Sequence, residues 1–389
     1  MTLRYHRFDP GPCAFPRPRV PVLPPPTSEQ WTWRSLALPK NLRHYARGRY
    51  ALKAAYALAG VGPGGALLAP AYHCRTMLDP ALRLGAEVIL YPLTPELHPD
   101  MAALRRLATE SPVAVKALLF THYFGLPRDI APVSALCREL GIVLVEDCSH
   151  ALTWGGDAGE IGRTGRYAVS SPYKFFPCPD GGLLWCNDGA TLPPERPAAP
   201  GIAAELRGIA TAWRRLREGP QVPDAGALGS ELQTVAPRLC ARAREWTGES
   251  EALSNDYVQR DESAASLAVS RWIMCHNDVE MLTRRRRQRY AQWVEAVAGV
   301  PGCRALFPAL PAGSVPYMFP LRVDRPQDGF YPLKHLGLPI WRWDDMAVSD
   351  CVVSQQYRQG VFHLPCHQAL TDAQMQWMAS ALRRVLTAQ

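Results

Sequence analysis

An α/β chain, with a large domain built on a mainly parallel sheet and a smaller α+β C-terminal domain, is the architecture this sequence predicts. Three observations predict it. Short apolar runs alternate with helical patterns from about residue 49 to 186, the signature of βαβ units. The 389 residues exceed one minimal core and favour two or three units. Hydrophobic residues make up 47% and charged residues 20%, ordinary globular usage that allows a sizeable interior.

The elements follow in order. Residues 9–26 carry Pro10, Pro12, Pro16, Pro18, Pro21 and Pro24-Pro25-Pro26, which predicts an extended segment, solvated or draped over a neighbour and not helical. Arg49–Leu58 reads as a helix. Ala66–Leu68, ending at Pro70, and Glu87–Tyr91 read as strands, with a helix at Met101–Ala108. Val113–Phe120 reads as a strand, Ile130–Leu140 as a helix, and Ile142–Val145, Tyr167–Ser170 and Gly182–Cys186 as strands. Asp188–Gly201, with four prolines, reads as a linker. Ile202–Trp246 is predicted helical with a break at Gly219–Gly229, and Glu262–Val297 as one long helical stretch. Short apolar runs at Pro316–Val323 and Pro339–Trp341 and an amphipathic helix at Asp372–Leu386 close the chain. The partition is residues 1–40 as the proline-rich segment, 41–245 as the large domain, and 246–389 as the helical connection and small domain.

Composition removes several function classes. The net charge of +8 and pI near 9.0 suit anionic ligands without singling out nucleic acid. Eleven scattered cysteines without a Cys-x-x-Cys pair argue against a disulfide framework and a tetrahedral zinc site. The N-terminus lacks the apolar centre of a signal peptide, and no apolar run is long enough to span a bilayer. A cytoplasmic location is expected. The run Arg284-Arg285-Arg286-Arg287 with Arg289 spreads around a helix axis instead of forming one basic stripe, which favours a solvated helix end, or contacts to the partner subunit or to a nucleotide phosphate, over a nucleic-acid patch. His363 and His367 are separated by Pro365, so a helical metal pair is not expected. Trp341 and Trp343 flank Arg342, with core packing favoured over ring stacking on a ligand.

Ligands of parallel sheets bind beyond the carboxyl ends of the strands, which directs attention to the loops after Pro70, Phe120, Val145 and Ser170. Lys174 lies in the last of these, in Ser170-Ser171-Pro172-Tyr173-Lys174-Phe175-Phe176-Pro177-Cys178-Pro179-Asp180-Gly181-Gly182. Aromatic and proline neighbours strip water from an amine and favour its free form, which can attack an aldehyde and hold it as an imine. Asp147, at the end of a strand, can hold a protonated pyridine nitrogen. Together they point to pyridoxal phosphate.

The segments Gly48-Arg49-Tyr50-Ala51-Leu52, Pro70-Ala71-Tyr72-His73-Cys74, Thr121-His122-Tyr123-Phe124-Gly125-Leu126-Pro127 and Val145-Glu146-Asp147-Cys148-Ser149-His150-Ala151 precede the Lys174 segment. In that order and spacing they resemble the DegT/DnrJ/EryC1/StrS family of aminotransferases, with a weaker likeness from Ser263-Ala264-Ala265 to Leu364-Pro365-Cys366-His367-Gln368. The resemblance implies a fold-type I pyridoxal-phosphate transferase, a homodimer with its site at the subunit interface. It implies transfer of an amino group, from glutamate, onto a keto sugar nucleotide for an amino sugar of a surface polysaccharide or natural product. Neither nucleic acid nor membrane is an expected partner.

By the same resemblance Lys174 would be the Schiff-base lysine and proton shuttle, Asp147 the pyridine partner, and His150 a neighbour of the ring hydroxyl. The backbone of Arg49 and Tyr50 at a helix start would bind phosphate, a role helix N-termini also suit physically. Many relatives place a phosphate-binding serine where this chain has Val169; Ser170 or Ser171 must serve, and a Ser-x-x-Lys arrangement favours Ser171. Cys74 stands where relatives often cover the ring with an aromatic, so Tyr72 or His73 is expected to help. Asn255, favoured over Asp256 because a carboxylate repels phosphate, would reach the partner subunit's phosphate. The other readings are a cyclitol or other non-sugar ketone as acceptor, a dehydratase, which the lysine disfavours, and a non-catalytic sensor or interaction protein.

Overall fold

The computed structural model describes residues 3–33, 35–36, 38, 41–153, 161–189, 192, 196–217, 222–250 and 253–387. Parts of the predicted 188–201 linker and of the 219–229 break lie outside them. In chain order, β1 (Leu3–Asp9) is followed by β2 (Leu42–Tyr45), α1 (Gly48–Leu58), β3 (Gly65–Pro70), α2 (Asp79–Arg83), β4 (Glu87–Tyr91), α3 (Met101–Glu110), β5 (Ala114–Thr121), α4 (Ala131–Leu140), β6 (Val143–Asp147), β7 (Tyr167–Ser170) and β8 (Gly182–Cys186). Then come α5 (Ile202–Arg217), α6 (Leu228–Val235), β9 (Arg244–Ser250), α7 (Ala268–Cys275), α8 (Val279–Val297), β10 (Cys303–Ala305), β11 (Met318–Val323), α9 (Pro326–His335), β12 (Met346–Ala347), α10 (Val352–Gly360), β13 (Val361–Pro365) and α11 (Asp372–Thr387).

Seven strands form the large sheet in the order β2-β8-β7-β6-β5-β3-β4. Strands β3 to β7 run parallel, while β8 and β2 join antiparallel at one edge. Because side chains alternate along a strand, the central strands feed two apolar layers. Leu68, Leu118, Phe120 and Leu144 face one; Leu67, Leu119, Val145 and Val169 face the other. A third core holds the C-terminal domain, where the β10-β11-β13 sheet packs with α8, α9 and α11 around Trp293, Phe319 and Trp377.

The parallel sheet matches the predicted architecture, and the strands and helices expected between residues 49 and 186 agree within one or two residues, while β1, β2 and α2 were not expected. Four expectations needed correction. The proline segment holds one 3-10 turn, Gly11–Cys13, because Pro10 and Pro12 occupy the cap and first-turn positions where a proline costs no hydrogen bond. Trp246 is not helical but sits in β9, opposite Arg7 of β1. The stretch 262–297 is two helices. Asp180 takes the Leu267 amide at the start of α7, at 3.2 Å, and Asp278 caps α8 through the Met281 amide, at 2.9 Å. The run Pro339–Trp341 forms no strand; Trp341 makes only an isolated bridge to His363. Strand β1 pairs with both β9 and β12, so the N-terminal segment is sewn to residues from both later parts of the chain.

Candidate active site

The carboxyl ends of β5, β6 and β7 lie side by side, with Thr121 in register with Asp147 and Asp147 with Val169. A cavity of about 280 Å³ opens there. Alternation decides which of two adjacent acids reaches it. Glu146 points to the opposite face, where its oxygens accept from the Gly162, Thr164 and Gly165 amides and face His122 Nε2 at 2.7 Å. Burial, the largest influence on Glu146, pushes its carboxyl up, but the bonds from His122 and the amides outweigh it and hold the group below the ordinary range. His122, Glu146 and Cys148 form a compact buried trio; the Glu146 oxygens are already committed, so the trio is a brace for the 162–165 turn.

Asp147 is buried and lines the cavity, with Oδ1 accepting the Ser149 amide at 2.9 Å. Ser149 also lines it and takes a 3.1 Å hydrogen bond from Ser171 Oγ. These two hydroxyls sit against the start of α1. A Cβ on Gly48 would collide with Ser171 Oγ and come within 3.4 Å of Ser149 Oγ, so only glycine lets the helix start approach so closely. No side chain caps α1; the Tyr50 and Ala51 amides turn back to the Arg47 carbonyl, while Gly48 and Arg49 at the helix start line the cavity. A Cβ on Gly182 would strike the Arg47 backbone, and this second close approach presses the helix start onto the lysine loop.

Lys174 ends a single 3-10 turn, Pro172–Lys174, after β7. It lines the cavity half-buried, with Nζ 5.2 Å from the Tyr317 ring centre. Its loop is held from beneath by Arg286, whose side chain is fully buried. The guanidinium donates to the carbonyls of Lys174 (3.0 Å), Phe175 (3.5 Å), Pro316 (3.0 Å) and Tyr317 (3.3 Å) and to Gln368 Oε1 (2.9 Å), and lies over the Phe175 ring. Gln368 Nε2 adds a 2.8 Å bond to the Phe175 carbonyl. Burial lowers the Arg286 group to about 10. The sequence reading saw an arginine run and missed this strut. Its periodicity separated the arginines around the axis, yet nothing in it told which one faces inward. Neighbours Arg287 and Arg289 bond Ser314 and Asp372.

His150 lies beneath the cavity, its ring 4.6 Å from Tyr317 and 5.6 Å from Trp343. Burial first, then the charges of Lys174 and His363, hold it well below the usual histidine range, so it is neutral at neutral pH. Its Nδ1 and the Thr121 hydroxyl are buried without a hydrogen-bond partner among the described residues. Arg49 and Cys74 also line the cavity, and the Arg49 guanidinium donates to the Asp256 carbonyl.

Tyr50, expected to serve through its backbone, has its amide donating to the Arg47 carbonyl at 3.1 Å, and its side chain leaves the cavity, the hydroxyl bonding the Val258 carbonyl at 3.0 Å. One expected site residue, His73, lies elsewhere. The His73 ring is consumed in the fold, between the Pro70 and Ala71 carbonyls on Nδ1 and the Ala347 amide, which donates to Nε2. Tyr72, its alternative, bonds His363 instead. Asn255, expected at the partner subunit's phosphate, is an exposed turn residue outside this chain's own cavity lining, and its neighbour Asp256 belongs to that lining. Ser171, not Ser170, is the serine at the cavity. The far wall is aromatic and aliphatic: Val22, Leu23, Tyr173, Tyr317, Trp341 and Trp343. Trp341 and Trp343 thus do more than fill a core, while Arg342 between them is buried in an ion pair with Asp344.

Residues 45–195 match the DegT/DnrJ/EryC1/StrS aminotransferase family. A pleiotropic regulatory protein of Geobacillus stearothermophilus is 28% identical over 148 residues, 36% of this chain and 38% of that relative, so the match spans well under half of its length. The aminotransferase TlmJ of Streptoalloteichus hindustanus superposes with a TM-score of 0.62 at 20% identity, covering 95% of this chain and 99% of that one. The sugar aminotransferase CalS13 of Micromonospora echinospora gives 0.58 at 18%, covering 88% and 87%. These likenesses extend the fold-type I arrangement over nearly the whole chain. The likeness to the DegT/DnrJ/EryC1/StrS aminotransferase family is thus carried by residues 45–195, and the solved structures extend the shared fold beyond that segment.

Proposed function

We propose that this chain is a pyridoxal-phosphate-dependent aminotransferase that moves an amino group from glutamate onto a keto sugar nucleotide. One observation carries the reading: a single cavity gathers an amine, a buried carboxylate, a neutral imidazole and an anion cradle, from Lys174, Asp147, His150 and the Gly48–Ser149–Ser171 contact. The residues fit the cofactor. Two hydroxyls and the amides of a helix start suit a phosphate, and the unpartnered His150 Nδ1 and Thr121 Oγ1 suit the polar edge of a pyridine ring.

When bound, pyridoxal phosphate supplies an electron sink for negative charge at the substrate's Cα. The protein's part is separate. Asp147 would face the pyridine nitrogen and favour its protonated form. Lys174 would be the amine that holds the cofactor and the base that moves the proton at the substrate's Cα. Neutral His150 offers a hydrogen bond without adding a positive charge beside the lysine. The aromatic wall excludes water from that side, which strengthens the Asp147 interaction.

The test is borohydride reduction of protein reconstituted with pyridoxal phosphate, followed by peptide mapping. A pyridoxyl tag on Lys174, and bleaching of the cofactor's absorbance by glutamate, are expected; Lys174→Ala should lose both, along with turnover. A wild-type digest without the tag refutes the assignment. A second reading, a non-catalytic regulator on the same fold, draws on the name of the Geobacillus relative. It gains if the protein takes up the cofactor yet shows no response to amino donors.

A further inference from the structure

A second cavity, sharing no lining residue with the one beside Lys174, lies at the β2 edge of the large sheet. It holds about 270 Å³, and its polar lining is Arg43, His44, Arg196 and Arg271; the rest is apolar. Three parts of the chain bring these groups together. Arg43 and His44 stand on β2, and the half-buried Arg43 donates from Nη1 to the Leu42 carbonyl at 3.3 Å. The chain after β8 returns past this edge. The Ala198 amide donates to the Ser263 carbonyl at 2.6 Å and the Ala265 amide to the Ala198 carbonyl at 2.8 Å, which holds the backbone close to Arg196. The Ala46 amide donates to the Ala264 carbonyl at 2.9 Å and ties the same stretch to the end of β2. Arg271 comes from α7, with Nη1 donating to the Ser266 carbonyl at 3.2 Å. Backbone bonds thus build the pocket, not a chance meeting of long side chains.

Charge is one-sided here. Among the described lining residues there is no carboxylate, and neither Arg196 nor Arg271 forms an ion pair with a described acid. Asp180, which shares a narrow gap with His44 and Arg271, is committed to the Leu267 amide and the Ser270 hydroxyl. Burial first, then the Arg271 charge, lowers His44 to about 4, so its ring is neutral at neutral pH. Its Nδ1 is buried without a hydrogen-bond partner among the described residues. Like charges gathered around one pocket repel, and an entering anion relieves that repulsion. A guanidinium presents paired donors that match the oxygens of a phosphate group. Three of them exceed what one carboxylate can balance, whereas two linked phosphates supply both the charge and the acceptors.

We propose that Arg43, Arg196 and Arg271 form a binding site for a diphosphate anion, separate from the Lys174 cavity. The anion has two sources, free pyrophosphate and the diphosphate of a nucleotide, with one chemistry at one site. The site stands apart from the aminotransferase reading, because no residue of the Lys174 cavity takes part in it.

Isothermal titration calorimetry tests it, on the full chain saturated with pyridoxal phosphate so that the Ser171 cradle is filled. Pyrophosphate, UDP and orthophosphate are titrated in turn at about 0.15 M KCl, where charges far apart in solution are screened. One site per chain should take pyrophosphate, UDP or both at least about tenfold more tightly than orthophosphate. Pyrophosphate without UDP assigns the site to the free anion, and UDP with or without pyrophosphate to a nucleotide. Arg196→Gln and Arg271→Gln should each weaken binding about tenfold, the loss of one charge-assisted pair. Arg196 is exposed, so its substitution spares the fold even if Arg271→Gln, which also frees the Ser266 carbonyl, does not. Arg49→Gln, beside Lys174, should leave the affinity unchanged. No binding, no preference over orthophosphate, or an affinity untouched by Arg196→Gln overturns the site. Binding lost in Arg49→Gln instead moves the anion to the Lys174 cavity and overturns it as well.

Discussion

The two sides of the Lys174 cavity are built by opposite rules. The large-domain side is polar and made of short contiguous pieces at strand ends and one helix start: Gly48-Arg49, Thr121, Asp147 to His150, and Ser171 to Lys174. The opposite side is apolar and assembled from residues 22, 23, 317, 341 and 343, drawn from an N-terminal strap and a C-terminal domain about 300 positions apart. A parallel sheet explains the first side, because all its strands deliver their carboxyl ends to one edge. Packing of separate layers explains the second. The comparison teaches that chemistry resides on the side local motifs encode, and shape on the side they do not.

If that division holds, the largest effect should come from the polar side. Asp147→Asn should lower kcat by at least about a hundredfold with little change in the KM for glutamate, because it removes a proton-holding charge and leaves the walls in place. Steady-state kinetics check this, and a drop confined to KM would blur the division.

Arg286 joins the two sides, and its removal should be the next largest effect. Arg286→Met leaves the carbonyls of Lys174, Phe175, Pro316 and Tyr317 without that donor in a buried setting, at a cost of about 2–3 kcal/mol. Urea denaturation measures the loss directly. A conservative Arg286→Lys, which keeps a charge but cannot fork to so many acceptors, should recover less than half of it.

A smaller change tests the cradle. The methyl of Gly48→Ala meets Ser171 Oγ and should weaken cofactor binding about tenfold, seen as a reduced rise in Tm on adding pyridoxal phosphate. An unchanged rise would place the phosphate elsewhere.

The smallest effect is graded with pH and comes from the apolar side. His363 is lowered to about 3, by burial first and then by the Lys174 charge. The unfolded chain takes up a proton near the ordinary histidine value while the folded chain refuses it. Stability from this group is therefore complete above that value and declines as pH falls toward about 3. Urea midpoints should fall between roughly pH 7 and 5, and His363→Gln should flatten the decline by one proton's share. His150, His73 and His367 are lowered likewise, so the variant should keep part of the slope.

The expectations that failed share a cause. His73 sits inside a recognisable motif, but which way its side chain points depends on a partner far away in sequence, Ala347. Trp246 stands in an alanine- and arginine-rich stretch with helical composition, and pairing with β1 more than 230 residues earlier overrides it. Ser149 lies in the strand-end segment 145–151, yet its role appears only when Ser171 reaches its hydroxyl.

From its sequence alone this protein's parallel sheet, its strand-end loops and the lysine, aspartate and histidine on them could be read, because alternation along a strand and punctuation by glycine and proline are local properties of the chain. Which arginine of four braces the lysine, that Ser149 joins Ser171 at the helix start, and what closes the far side of the cavity were decided only by tertiary structure. Those outcomes depend on long-range burial, and burial is a property of layers brought together, invisible in any one stretch of residues.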